Sequence, residues 1–178
     1  MSAVTVGPAR LTLDPDVGGS GWDVTVIEQR GGSAVVTHAA DAVVVRLGDD
    51  ADPDNPVARR TCCTTVSCES DGRVVVDASA APPALLVRRA GVVLVPSTPG
   101  LQGEARLGPD ERLLVLSAEA YDTLPPALVI LLRELPDRVL GTDPAALLET
   151  LFEQVPAGCG ALIAPAAVVP PALNPVRA

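Results

Sequence analysis

Lysine is missing from this chain, and aromatic residues are nearly so. All thirteen basic residues are arginine, and the aromatics are Trp22, Tyr121 and Phe152, only 2% of the composition. A core must therefore be assembled from Val, Leu, Ile and Ala, which the 48% hydrophobic content can supply. No run of basic residues occurs and the net charge is −9. Nucleic-acid affinity rests on Lys and Arg neutralising phosphates, so no nucleic-acid partner is expected. There is no apolar stretch of roughly eighteen residues to span a bilayer, and no positive-then-apolar leader. The reading is a soluble, cytoplasmic protein without a membrane partner. His38 is the only histidine, which makes neither a metal cage nor a general-base dyad. No GxSxG elbow, phosphate-binding glycine loop or Cys/His pairing appears.

What is present reads as one domain. At 178 residues the chain can bury about 70% of its unfolded surface. Arginine without lysine, on an Ala/Val/Pro background, is the composition of a high-GC bacterial coding sequence. The cysteines are Cys62, Cys63, Cys68 and Cys159. A vicinal pair does not supply a CxxC zinc knuckle, so they read as small buried thiols in a reducing compartment.

Periodicity and turn residues give mostly strands. Residues 11–13 suit an edge strand. Residues 23–28 and 33–38 read as a hairpin about Arg30-Gly31-Gly32, and 39–47 lean to strand on their β-branched valines. The acidic stretch 48–56 lacks the glycine and terminal glutamate of a calcium loop and reads as solvated loop. Residues 61–69 and 73–77 form a hairpin about Ser70-Asp71-Gly72, and 84–88 with 92–95 form another. Residues 96–100 read as loop. The turn Gly108-Pro109-Asp110 leads into Leu113-Leu114-Val115-Leu116, a buried central strand whose exit, Ser117 to Asp122, is the natural place for chemistry. Residues 126–133 suit a buried helix. A better helix follows, capped by Thr142 or Asp143 with Pro144 at its first position and Leu147, Leu148, Leu151, Phe152 and Val155 on one face. Residues 161–164 are a last strand. The domain is an α+β sandwich of residues 17–164, with an N-terminal extension or edge strand (1–16) and a loose Pro-rich tail (165–178).

Four stretches, VGGSGWDV (17–24), DASAAPPALL (77–86), LGPDERLLVLSAEAYD (107–122) and DPAALL (143–148) followed by 158–164, stand in an order that resembles the PPM-type serine/threonine phosphatases, in their SpoIIE-like branch. Val17-Gly18-Gly19-Ser20-Gly21-Trp22-Asp23-Val24 is similar to the opening Gly-Gly-Asp and aromatic-Asp-Val motif. Residues 77–86, DASAAPPALL, are similar to the Asn-Ala-Gly-His-Pro-Pro stretch, and 107–122 to the Pro-Gly-Asp strand ending in Ser/Thr-Asp-Gly. Asp143-Pro144-Ala145-Ala146-Leu147-Leu148 followed by 158–164 is similar to the terminal helix and last strand. The resemblance implies a PPM-phosphatase-like β-sandwich. In active members it implies two Mn²⁺ or Mg²⁺ ions, held by aspartates, that activate water.

Those aspartates are replaced here. On this alignment they fall at Ser20 or Gly21, at Thr37-His38, at Ala118-Glu119 and at Cys159-Gly160. His38 reads as a partly buried strand-end residue. Glu119, one position from a missing aspartate, is expected to point away because strand side chains alternate. No catalytic residue and no metal cofactor are therefore expected. The degenerate positions are Ser20, His38, Ala118, Glu119 and Cys159. Between the first hairpin and residue 61 the family's two helices are also absent, which implies reduced helical layers and an uncovered apolar sheet face suited to a homodimer. The expected function is a pseudophosphatase: a regulatory, protein-binding module in bacterial signalling. The alternatives are an active Mn- or Mg-dependent phosphatase with relocated ligands such as Asp23, Asp41 and Asp122, or the acidic loop 48–56, and a structural subunit sharing only the topology.

Overall fold

Strict alternation of small apolar and polar residues makes one-sided strands. In residues 63–69, CTTVSCE, Thr64, Val66 and Cys68 are buried while Cys63, Thr65, Ser67 and Glu69 face outward. The computed structural model describes residues 10–14, 21–49, 63–78, 81–98 and 101–166. Ten strands come first: β1 (Arg10–Asp14), β2 (Trp22–Glu28), β3 (Gly32–His38), β4 (Ala42–Asp49), β5 (Cys63–Glu69), β6 (Arg73–Asp77), β7 (Ala84–Arg88), β8 (Gly91–Val95), β9 (Gln102–Arg106) and β10 (Arg112–Leu116). Helices α1 (Ala118–Asp122), α2 (Pro126–Glu134), α3 (Pro136–Gly141) and α4 (Pro144–Phe152) follow, and then β11 (Cys159–Pro165).

The strands form two antiparallel sheets, ordered β1-β2-β11-β10-β7-β8 and β3-β4-β5-β6-β9. Between them lies one core, with Val24, Val26, Leu113, Val115, Ala161 and Ile163 facing Val43, Val45, Leu47, Val66, Val74 and Val76. The other face of the six-stranded sheet carries Ile27, Leu85, Leu114, Leu116 and Leu162 against Leu132, Val139, Leu147, Leu148, Leu151 and Phe152 of the helices. Residues 113–116 are a continuous apolar run because β10 is buried on both faces. The α+β sandwich with reduced helical layers is what the structure shows.

Several sequence expectations are corrected. Residues 23–28 and 33–38 are not a hairpin. β2 has β1 on one side and β11 on the other, so no edge remains for β3, which pairs with β4 in the other sheet. The turn between them is held instead by β11, the Gln29 N–H donating to the Gly158 carbonyl (2.9 Å) and the Gly158 N–H to that of Arg30 (3.1 Å). β9, QGEAR, falls in a stretch (101–106) to which the sequence gives no element, because its residues are small or charged and largely exposed at a sheet edge. The exit of β10 is not an extended loop but α1. α2 buries only Leu132 fully and exposes Val129 and Ile130, since it is an outer helix packed on α3 and β8. The outer face of the five-stranded sheet is not rich in large aliphatics. Among the described residues it carries Ser33, Thr37, Arg46, Thr65, Ser67, Arg73, Glu104 and Arg106 around Val35, Val44 and Val75, with Arg73 paired to Glu104 and Glu69 at 2.7 Å each. Such a face can meet water directly, its valines standing among hydroxyls and charges rather than forming the broad apolar surface expected for a homodimer.

Two polar devices lock the helical layer on. The Arg112 guanidinium, at the start of β10, donates to the carbonyls of Val139 (2.9 Å) and Thr142 at the end of α3. A cation there satisfies carbonyls that the helix leaves open. Burial lowers its pKa from the usual arginine range, and the charge of Asp143 opposes that shift. Asp143 caps α4, its Oδ2 accepting from the Ala146 N–H at 3.1 Å. Asp143→Ala is expected to cost about 1 kcal/mol, read as a lower urea midpoint at unchanged slope.

Candidate functional site at one end of the sandwich

Strand register decides which residues share an end. Cys159 lies opposite Glu28 and Gly160 opposite Leu116. Gly32 lies opposite Asp49, and Gly48 opposite Cys63. One end of the sandwich therefore gathers Gly32, Gly48, Asp49, Ser117, Ala118, Gly158 and Cys159. The other end holds Trp22, His38 and Asp41, with the Trp22 indole N–H tying the two sheets by donating to the Glu69 carbonyl (2.9 Å).

Cys159 is fully buried between the sheets. Its thiol faces the Ser33 carbonyl at 3.4 Å and the Gly48 carbonyl at 3.5 Å, on β3 and β4. Ser117, also buried, accepts the Cys159 N–H on Oγ at 3.0 Å and donates its own N–H to the Cys159 carbonyl at 2.9 Å. Gly158 closes the gap at φ 101°, so tightly that a Cβ would stand 2.5 Å from Ser117 Oγ and 2.9 Å from the Ala120 nitrogen. Thr64, opposite Leu47 on β5, buries an Oγ1 that has no hydrogen-bond partner. The side chains placed directly around Cys159 are thus a thiol and two hydroxyls beside backbone carbonyls, while Glu28, Asp49 and Glu119 stand at neighbouring register and helix positions. Hard divalent cations take carboxylate oxygens, and a buried thiol at the Cys159 position does not supply one.

The residues singled out from the sequence divide between the two ends. Ala118 and Glu119 open α1 beside Cys159. Ser20 lies outside the described residues. His38 is exposed, not partly buried, and stands at the far end of β3 from Gly32. Glu119 is exposed because the chain turns helical there and buries Ala120 instead, not because a strand alternates. Asp23 and Asp41 lie at the His38 end and Asp122 on α1, so the three are not brought together. Among the described residues no group of three or more His, Cys, Asp and Glu could hold a metal.

The sequence assigns Gly48-Asp49 to the acidic loop, whereas the structure makes them the end of β4. Taking residues 23–38 as a hairpin shifted the strand count by one, so the Gly-Asp pair was sought at Thr37-His38. A Gly-Asp dipeptide closing the Val43-Val44-Val45 strand was the available signal, and the register puts it at the Cys159 end. A cleft of about 600 Å³ opens on the helical side at the opposite end. It is lined by Asp23, Asp110 and Asp137 together with Arg89 and Arg112, charges of both signs with Arg112 already committed to α3.

Among solved structures the chain is similar to the phosphatase domain of the cell fate determinant SpoIIE from Bacillus subtilis, with TM-score 0.56 and 10% identity over 93% of this chain and 96% of that one. The fold is that of the PPM-type phosphatases. The chain is likewise similar to part of the structure of the RsbU and RsbW domains of Rv1364c from Mycobacterium tuberculosis, at TM-score 0.59 and 12% identity over 91% of this chain and 62% of that one. The fold is found again in RsbX in complex with magnesium, at TM-score 0.58 and 7% identity over 86% of this chain and 98% of that one. No family profile and no curated protein matches the sequence.

Proposed function

We propose that residues 17–164 are a PPM-fold pseudophosphatase, a regulatory module of bacterial cytoplasmic signalling that binds another protein and carries no catalytic metal. The observation behind this reading is the buried Cys159 thiol, set between the Ser33 and Gly48 carbonyls where the resemblance expects an aspartate at a metal. Carbonyls that face a thiol donor would repel a carboxylate at the same point. The partner class follows from fold analogy alone. In the Mycobacterium structure an RsbU domain shares its chain with an RsbW domain, which supports a regulatory protein as partner.

The active reading rests on Asp49, one aspartate at the right strand end, whereas a two-metal site needs several carboxylates. Purified protein is expected to release no p-nitrophenol from p-nitrophenyl phosphate in millimolar Mn²⁺ or Mg²⁺, and calorimetry to show no saturable uptake of either ion. Metal-dependent turnover that Asp49→Asn abolishes would overturn the proposal.

A further inference from the structure

Among the described residues the two sheets have four edges, β1, β8, β3 and β9. Sheet edges are commonly guarded against pairing with other chains by charges or proline. β1 carries Arg10 and Asp14, β9 carries Glu104 and Arg106, and β3 mixes Ser33 and Thr37 with a terminal His38. β8 reads GVVLV, with no charge and no proline, and leaves Val93 45% and Leu94 43% exposed. Val92 packs into the helix-side core, so Leu94, two residues on, shares that face. α2 packs on β8, and its Val129 and Ile130 are exposed on the same helical layer.

We propose that β8 is a dimerisation edge, pairing antiparallel with β8 of a second copy about a two-fold axis at Val93 and joining the two six-stranded sheets into one. An open backbone edge is completed by another strand, which excludes a globular contact as its natural occupant. On this axis Val92 meets the second copy's Leu94, and Gly91 meets Val95. No charged residue enters the strand pairing, although each copy carries −9. Pairing β8 with β1 or β9 of another copy would set it against Arg10 and Asp14 or Glu104 and Arg106, and a heterologous contact would also propagate into filaments. The two-fold brings both Val129–Ile130 flanks to one side of the junction. This surface takes the place of the five-stranded sheet's polar outer face, and it does not depend on whether the protein is catalytic.

Sedimentation velocity over a concentration series tests it, with Leu94→Lys, Ile130→Glu and the control Val35→Lys. All three positions are exposed, and circular dichroism melts check that each variant folds. The wild-type chain is expected to show a monomer–dimer equilibrium. Leu94→Lys and Ile130→Glu should each weaken it at least about tenfold, and Val35→Lys should leave it unchanged. A wild-type monomer at every concentration, a dimer indifferent to both substitutions, or one dissolved by Val35→Lys overturns the proposal.

Discussion

Gly158→Ala is expected to lower stability by about 2–4 kcal/mol in urea unfolding, an effect large enough to unfold a marginal domain. The residue sits at φ 101°, a conformation that costs an L-residue about 1–2 kcal/mol. The added methyl would also meet Ser117 Oγ and the Ala120 nitrogen. The nitrogen belongs to the α1 backbone and cannot swing aside. Ser117 Oγ can move only by releasing the Cys159 N–H, and a buried donor left unpaired costs about 1–3 kcal/mol. Ser117→Ala removes the same hydrogen bond, so the double variant should lose less than the sum of the two single losses. An unchanged urea midpoint for Gly158→Ala would mean that this end has slack, and slack is what an ion or substrate would need. The experiment thus probes both packing and the pseudophosphatase reading.

Legibility from sequence followed burial. β10 and α4 were plain because both-sided burial makes an unbroken apolar run, and because a cap, a first-turn proline and a helical apolar stripe mark one segment together. β9 was not, because an edge strand needs neither apolar residues nor a period to hold a ladder. The β2-to-β3 turn misled because Arg30-Gly31-Gly32 has hairpin chemistry in either case. Whether such a turn stays within a sheet depends on what else pairs with β2, and that strand, β11, lies far along the chain. The error passed directly into the candidate site, because it drew His38 into a site at whose end the register places Gly48 and Asp49 instead. Ala118 and Cys159 do lie at one end together, since β10 and β11 are adjacent antiparallel strands.

Stability is expected to fall as pH rises above about 9, by about 1.4 kcal/mol per pH unit from Cys68 alone. Cys68 is fully buried on β5, and that burial pushes its thiol from 9.0 up to about 12. In the unfolded chain the thiol loses its proton near the lower value; in the folded chain it keeps it. The folded state then binds more protons. The Cys68 contribution is therefore fully present below pH 9, declines between pH 9 and about 12, and is lost above, reaching about 3 kcal/mol by pH 11. The usual background in this range is small, because the chain has no lysine and only one tyrosine. The diagnostic quantity is the difference between wild type and Cys68→Val, a near-isosteric apolar replacement. Urea midpoints measured at intervals from pH 8 to pH 11 should decline less steeply in the variant. Parallel slopes for the two proteins would contradict the assignment. A thiol held neutral this firmly is a poor nucleophile, which makes Cys68 a packing residue of the inter-sheet core.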